Sequence, residues 1–167
     1  MRRSKFPGLI VLLCLAALAS SCTTRTTRNF VQDDETIRLL LRGKARSGEP
    51  VDRGYAHPLT ISSTRIANSL SRIDVRLQDG KNERKPAIPT ELLYDLSDAL
   101  SSAFAKADSS QEIVGWVTEA RAKAGIFHEK RLTSFIAYAK GEMLHIHFYR
   151  VDCKLPEHAA DEDPFEP

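Results

Sequence analysis

Apolar positions recur along the chain with periods that change several times, and each change marks a predicted element. The longest helical signal follows Thr90. Leu92, Leu93, Leu96, Ala99, Leu100, Ala103, Phe104 and Ala107 fall within an arc of about 140° at about 100° per residue, with Asp95, Asp98, Ser102 and Lys106 outside it. Such a stripe is a core face rather than a cofactor surface. A shorter helix is predicted after Ser62-Ser63, both suited to capping, with Ile66, Ala67 and Leu70 turned inward. A short extended segment, Leu59 to Ile61, precedes it.

The period then falls to two. Ile73, Val75 and Leu77 alternate with Arg72, Asp74, Arg76 and Gln78, a half-buried strand. Three more strands are predicted at Ile113–Glu119, Leu132–Ala139 and Met143–Val151, with Lys140-Gly141 turning the last pair into a hairpin. The resulting order is β-α-β-α-β-β-β. It predicts an α+β fold of two layers, a mostly antiparallel sheet of four or five strands with two helices packed on one face.

Two of these strands are apolar on both sides: Ile113 and Val117 oppose Val114 and Trp116, and Leu132 and Ile136 oppose Phe135 and Ala137. Both faces of the sheet are therefore expected to be covered. The expected cover for the second face is a short helix over residues 34–42, capped by Asp33 or Asp34, carrying Ile37, Leu40 and Leu41 and ended by Gly43. A partner protein is the alternative.

The N-terminus follows another logic. Arg2, Arg3 and Lys5 precede the apolar run Leu9–Ala19, and small residues follow. This is the layout of a signal peptide. The run's eleven residues span about 17 Å as a helix, short of the ~30 Å hydrocarbon core. Ala19-Ser20-Ser21-Cys22, with Leu18 before it, resembles the lipobox of bacterial lipoproteins. The resemblance implies removal of residues 1–21 and a lipid on Cys22. Thr23, rather than Asp, follows that cysteine, which implies the outer membrane if the cell has two. Ala17-Leu18-Ala19 also fits ordinary secretory cleavage before Ser20. In that case Cys22 and Cys153 can pair; with lipid on Cys22, Cys153 has no partner.

The division expected is signal segment 1–21, tether 22–54 with the possible helix 34–42, α+β domain 55–153, and a disordered acidic tail 154–167. The tail carries Glu157, Asp161, Glu162, Asp163 and Glu166. The formal net charge of +2 includes the three cations of the signal segment, so the remainder is close to neutral. That removes the basic excess a nucleic-acid binder would use.

Candidate chemistry is sparse. His145 and His147 form an H-x-H on the last strand, both facing away from Leu144, Ile146 and Phe148. Two imidazoles at that spacing can share a metal, although a zinc site takes three or four ligands. The simpler reading is two half-exposed histidines on the wet side of a strand. No phosphate-binding glycine loop, H-E-x-x-H or C-x-x-C pair occurs, and Cys153 lacks a nucleophile elbow. The expectation is a non-enzymatic lipoprotein held at the cell envelope through Cys22, without a cofactor, acting through an envelope protein partner. A periplasmic metal- or small-ligand-binding lipoprotein using His145 and His147 is the alternative.

Overall fold

The computed structural model describes residues 23–76, 84–122 and 128–155. The signal segment, Cys22 and the acidic stretch from 156 onward lie outside the described residues, so the expectations placed on them are not addressed by the fold.

The chain opens with two ten-residue strands, β1 (Thr24–Asp33) and β2 (Ile37–Arg46), followed by the two-residue β3 (Glu49–Pro50). Helix α1 (Ser63–Leu70), the short strands β4 (Asp74–Arg76) and β5 (Arg84–Pro86), and helix α2 (Leu93–Lys106) come next. Strands β6 (Glu112–Ala122), β7 (His128–Lys140) and β8 (Met143–Lys154) complete the order. The main sheet runs β1-β2-β6-β7-β8, with β3 paired to β2, and every neighbouring pair is antiparallel. The fold is α+β. It is a meander interrupted once, between β2 and β6, by the segment that carries both helices.

Residues 34–42 are therefore not a helix, and most of the described part of the expected tether is strand, in β1, β2 and β3. Ile37, Leu39 and Leu41 face the helices, while Leu40 faces the opposite side, so apolar residues occupy both phases of the strand. That double occupancy reads as i, i+3, i+4 spacing in one dimension. Asp34 does use its side chain as a cap would, but for a hairpin: its Oδ1 accepts from the Thr36 and Ile37 amides at 2.9 and 2.6 Å. These amide contacts hold the Asp34 carboxyl below the usual carboxylate range, against the opposing effect of burial.

Other boundaries move as well. The sheet has six strands, not four or five. Leu59–Ile61 stays outside it; the Leu59 amide donates to Phe104 O at 2.9 Å. Of the strand expected at Ile73, the described part is Asp74–Arg76, which pairs with β5 in a separate two-stranded sheet; Leu77 lies outside the described residues. Lys154 closes β8 rather than opening a tail, and the Leu155 amide donates to Lys130 O at 3.0 Å.

Both helices start near the expected places. Ser62 Oγ accepts from the Arg65 amide at 3.4 Å, as an N-cap should. Thr90 instead begins a 3-10 turn, Thr90–Leu92, that runs straight into α2 with no side-chain cap. The core under the helices joins Ile66, Leu70, Leu96, Leu100 and Phe104 to Leu39, Ile113, Val117, Phe135 and Ala137 of the sheet. On the other side Leu40, Val114, Trp116, Leu132 and Ile136 form a second buried cluster, with Tyr138 and Leu155 packed on it. Residues 37–42 belong to the sheet, so they are not the helix expected to cover this face.

Gly115 sits in β6 between Leu39 and Phe135. A Cβ there would lie 2.7 Å from Phe135 Cε2 and 2.8 Å from Leu39 Cδ2. Gly115→Ala should lower stability by about 1–3 kcal/mol through overpacking, read as a fall in Tm. Phe135→Leu in the same chain should recover part of that loss. An unchanged Tm for Gly115→Ala would mean that the side chains of β2 and β7 do not close over this strand.

Candidate functional site

Three polar groupings stand out among the described residues. The first contains the H-x-H pair. The β7–β8 hairpin turns at Gly141, whose φ of +58° favours glycine. The resulting register sets His145 opposite Tyr138 and His147 opposite Ile136. Both imidazoles lie on the face away from the helices, as their spacing predicts. They meet an aromatic stack rather than further ligands. The Tyr138 ring lies over His145 at 5.0 Å and over His147 at 5.6 Å, and its hydroxyl is 3.1 Å from His147 Nε2. Tyr55 stacks on the other side of Tyr138 at 4.7 Å. No group of three His, Cys, Asp or Glu able to hold a metal occurs among the described residues.

The second grouping is centred on Glu112, a buried carboxylate at the start of β6. Arg42 Nε donates to its Oε1 at 2.8 Å; Arg53 Nη1 and the Tyr55 hydroxyl donate to Oε2 at 2.9 and 3.3 Å. Arg42 arrives through the β2–β6 register, which pairs it with Glu112. Arg53 and Tyr55 arrive on an extended segment after β3, whose amides both donate to Ser109 O. Arg53 also lies over the Tyr55 ring at 5.1 Å. Burial and the neighbouring carboxylate push the Tyr55 phenol up to about 12. The ring is therefore a neutral donor throughout the physiological range.

A cavity of about 480 Å³ opens beside this carboxylate, lined by Thr26, Arg28, Arg42, Lys44, Arg53 and Tyr149 among others. Nothing in the sequence pattern singled out Glu112. Its signal is faint, a carboxylate at the polar-to-apolar boundary of a strand, and its cations come from positions 42 and 53.

The third grouping lies at the opposite end of β6. Asp152, in the left-handed region with φ +53°, sits at a bulge between β7 and β8. Its Oδ1 is 2.8 Å from Arg121 Nη1, and Lys85 Nζ is 3.7 Å from its Oδ2. Its carbonyl accepts from Arg131 Nη1 at 2.8 Å. Arg121 also forms a two-pronged pair with Glu119. These contacts, Glu119 first, hold the guanidinium firmly protonated. The small cavity here, about 220 Å³, is lined in part by Lys85, Glu119, Arg121 and Asp152, which pair with one another. Lys85, on β5, is thus an ion-pair partner.

None of the three presents a nucleophile with a base. Cys153 is exposed, with its thiol facing the Val151 carbonyl at 3.7 Å. His57 is buried, stacked on Phe104, with Nε2 accepting from the Ala139 amide at 3.2 Å. Burial lowers its pKa, so it is held neutral. Comparison with protein-family models, curated proteins and solved structures finds no match to this chain.

Two outcomes follow. Glu112→Gln should cost about 2–3 kcal/mol in a denaturant titration, because a neutral amide leaves Arg42 and Arg53 without their shared counter-charge. Because the folded state resists protonating His57, its contribution is complete above about pH 6.5, the ordinary histidine value, and is lost as pH falls below it. Tm should therefore drop between pH 7.5 and 5, and His57→Leu should flatten that drop whatever it does to the plateau.

Proposed function

We propose that this protein is a bacterial lipoprotein, anchored by lipid on Cys22 and acting as a non-enzymatic accessory or interaction module of an envelope assembly. The observation that carries the reading is the N-terminal layout: three cations, the apolar run Leu9–Ala19, and Ala19-Ser20-Ser21-Cys22. Thr23 after the cysteine favours the outer membrane in a cell that has two.

One feature of the fold supports an interaction role over catalysis: the charged groups of the Glu112 and Asp152 networks are spent on one another. No helix among the described residues is long and apolar enough to cross a membrane.

Growth of the producing cells with a labelled fatty acid should place label on the protein, and Cys22→Ala should abolish it. Label that survives this substitution, or none in the wild type, overturns the anchor. Cross-linked capture from native envelopes should then yield one stoichiometric membrane protein, depleted for Cys22→Ala. Recovery of the bait alone in both forms overturns the interaction role.

A further inference from the structure

Most of the described residues expected to form a tether are strand, and this changes how the domain meets the membrane. Strand β1 begins at Thr24, so Thr23 alone separates it from Cys22. Two virtual bonds reach about 7 Å, comparable to the headgroup layer of roughly 5–8 Å on each side of the bilayer. With lipid on Cys22, Thr24 and its partner Arg46 lie at headgroup level.

Charge is distributed along the β1–β2 hairpin to match. Its anchor end pairs Thr24 with Arg46, Thr26 with Lys44 and Arg28 with Arg42, while Glu49 of β3 meets Arg46 from the other side. By alternation the six hairpin residues share the face that bears Leu40, with Arg25 on the other. Arg53 joins them at the cavity beside Glu112. Both oxygens of Glu112 are already taken by Arg42, Arg53 and Tyr55. The far end of the same hairpin is acidic in balance, turning through Asp33, Asp34 and Glu35 with Arg38 paired to Asp33. Nine steps of strand separate the ends by about 30 Å, beyond the ~8–10 Å screening length. Tyr149, 56% exposed, stands among the cations at the cavity. Aromatic side chains of this kind favour the membrane–water boundary.

We propose that the anchor end of the β1–β2 hairpin, with Arg28, Lys44, Arg46 and Arg53, is a docking surface for an anionic phospholipid bilayer. The inference rests on lipidation of Cys22. It makes the domain membrane-apposed, lying on headgroups with the acidic hairpin tip turned away. Each basic residue near an anionic leaflet strengthens attachment by about fivefold. Several together fix the orientation of the domain.

The test uses protein purified from bacterial membranes, with intact mass reporting the acyl group on Cys22. In a Cys153→Ser background, nitroxide labels are placed at Thr26→Cys or, in the helix layer, at the exposed Tyr94→Cys. The protein is reconstituted in nanodiscs of phosphatidylcholine alone or with phosphatidylglycerol. Collision of the Thr26 label with an aqueous relaxant should fall at least about threefold in the anionic discs, return in about 1 M salt, and leave the Tyr94 label unchanged. Lys44→Glu with Arg46→Glu should abolish the difference. Equal accessibility in both discs, with acyl mass present, overturns the proposal. So does protection in both discs that disappears on deleting Pro156–Pro167, since the acidic segment is then the occupant. Absence of acyl mass defeats the lipoprotein reading instead. The surface is then judged by vesicle flotation: binding to phosphatidylglycerol but not phosphatidylcholine vesicles supports it, and no binding overturns it.

Discussion

Strand β6 is buried on both faces, and the rest of the fold is arranged around that constraint. Ile113 and Val117 enter the core beneath the helices, while Val114 and Trp116 enter the second cluster. Gly115 between them leaves the space that Phe135 and Leu39 fill. A strand apolar on both sides must be central. It therefore takes β2 on one side and β7 on the other, leaving β1 and β8 as edges. The helical segment between β2 and β6 can then cover one face without disturbing the pairing of neighbours.

The polar groups follow the same geometry. Glu112 opens β6 just where the apolar stretch begins, and Arg42 meets it because β2 pairs in register. Arg53 and Tyr55 bring the segment after β3 across this end of the sheet. The Ala56 amide there donates to the Ala139 carbonyl at 2.9 Å. The stack of Arg53, Tyr55 and Tyr138 with His145 and His147 extends this closure. The histidines that by spacing alone can share a metal are here ring partners of a tyrosine. The Glu112 charges and this ring stack together seal one end of the sheet.

A strand in place of the tether has a mechanical meaning. A lipoprotein on a long polar leash samples a wide volume, whereas one whose first strand starts beside its anchor holds a fixed side toward the bilayer. The charge gradient of the β1–β2 hairpin gives that fixed side a sign. With the proposed lipid on Cys22, the edge strand β8 is then held at a defined height and angle to the bilayer.

Local features were legible in the residues themselves. The stripe from Leu92 to Ala107, the Ser62 cap, the Lys140-Gly141 hairpin and the alternation of β8 depend on contacts within a few positions, and short-range spacing encodes these. The α+β class and the two-sided burial of β6 and β7 follow from the same patterns. What sequence could not decide was β2. A strand buried on both sides loses its alternation, and Ile37 to Leu41 then scans as one face of a helix. The same ambiguity turned a hairpin into a tether and hid its charge gradient. Glu112 and its partners at 42, 53 and 55 stayed invisible for a related reason: only strand register, a product of the whole sheet, brings those positions together. The sequence alone determined local periodicity, turns and the export-like N-terminus; tertiary pairing decided which strands are central and which charges meet, because both depend on contacts between residues far apart in the chain.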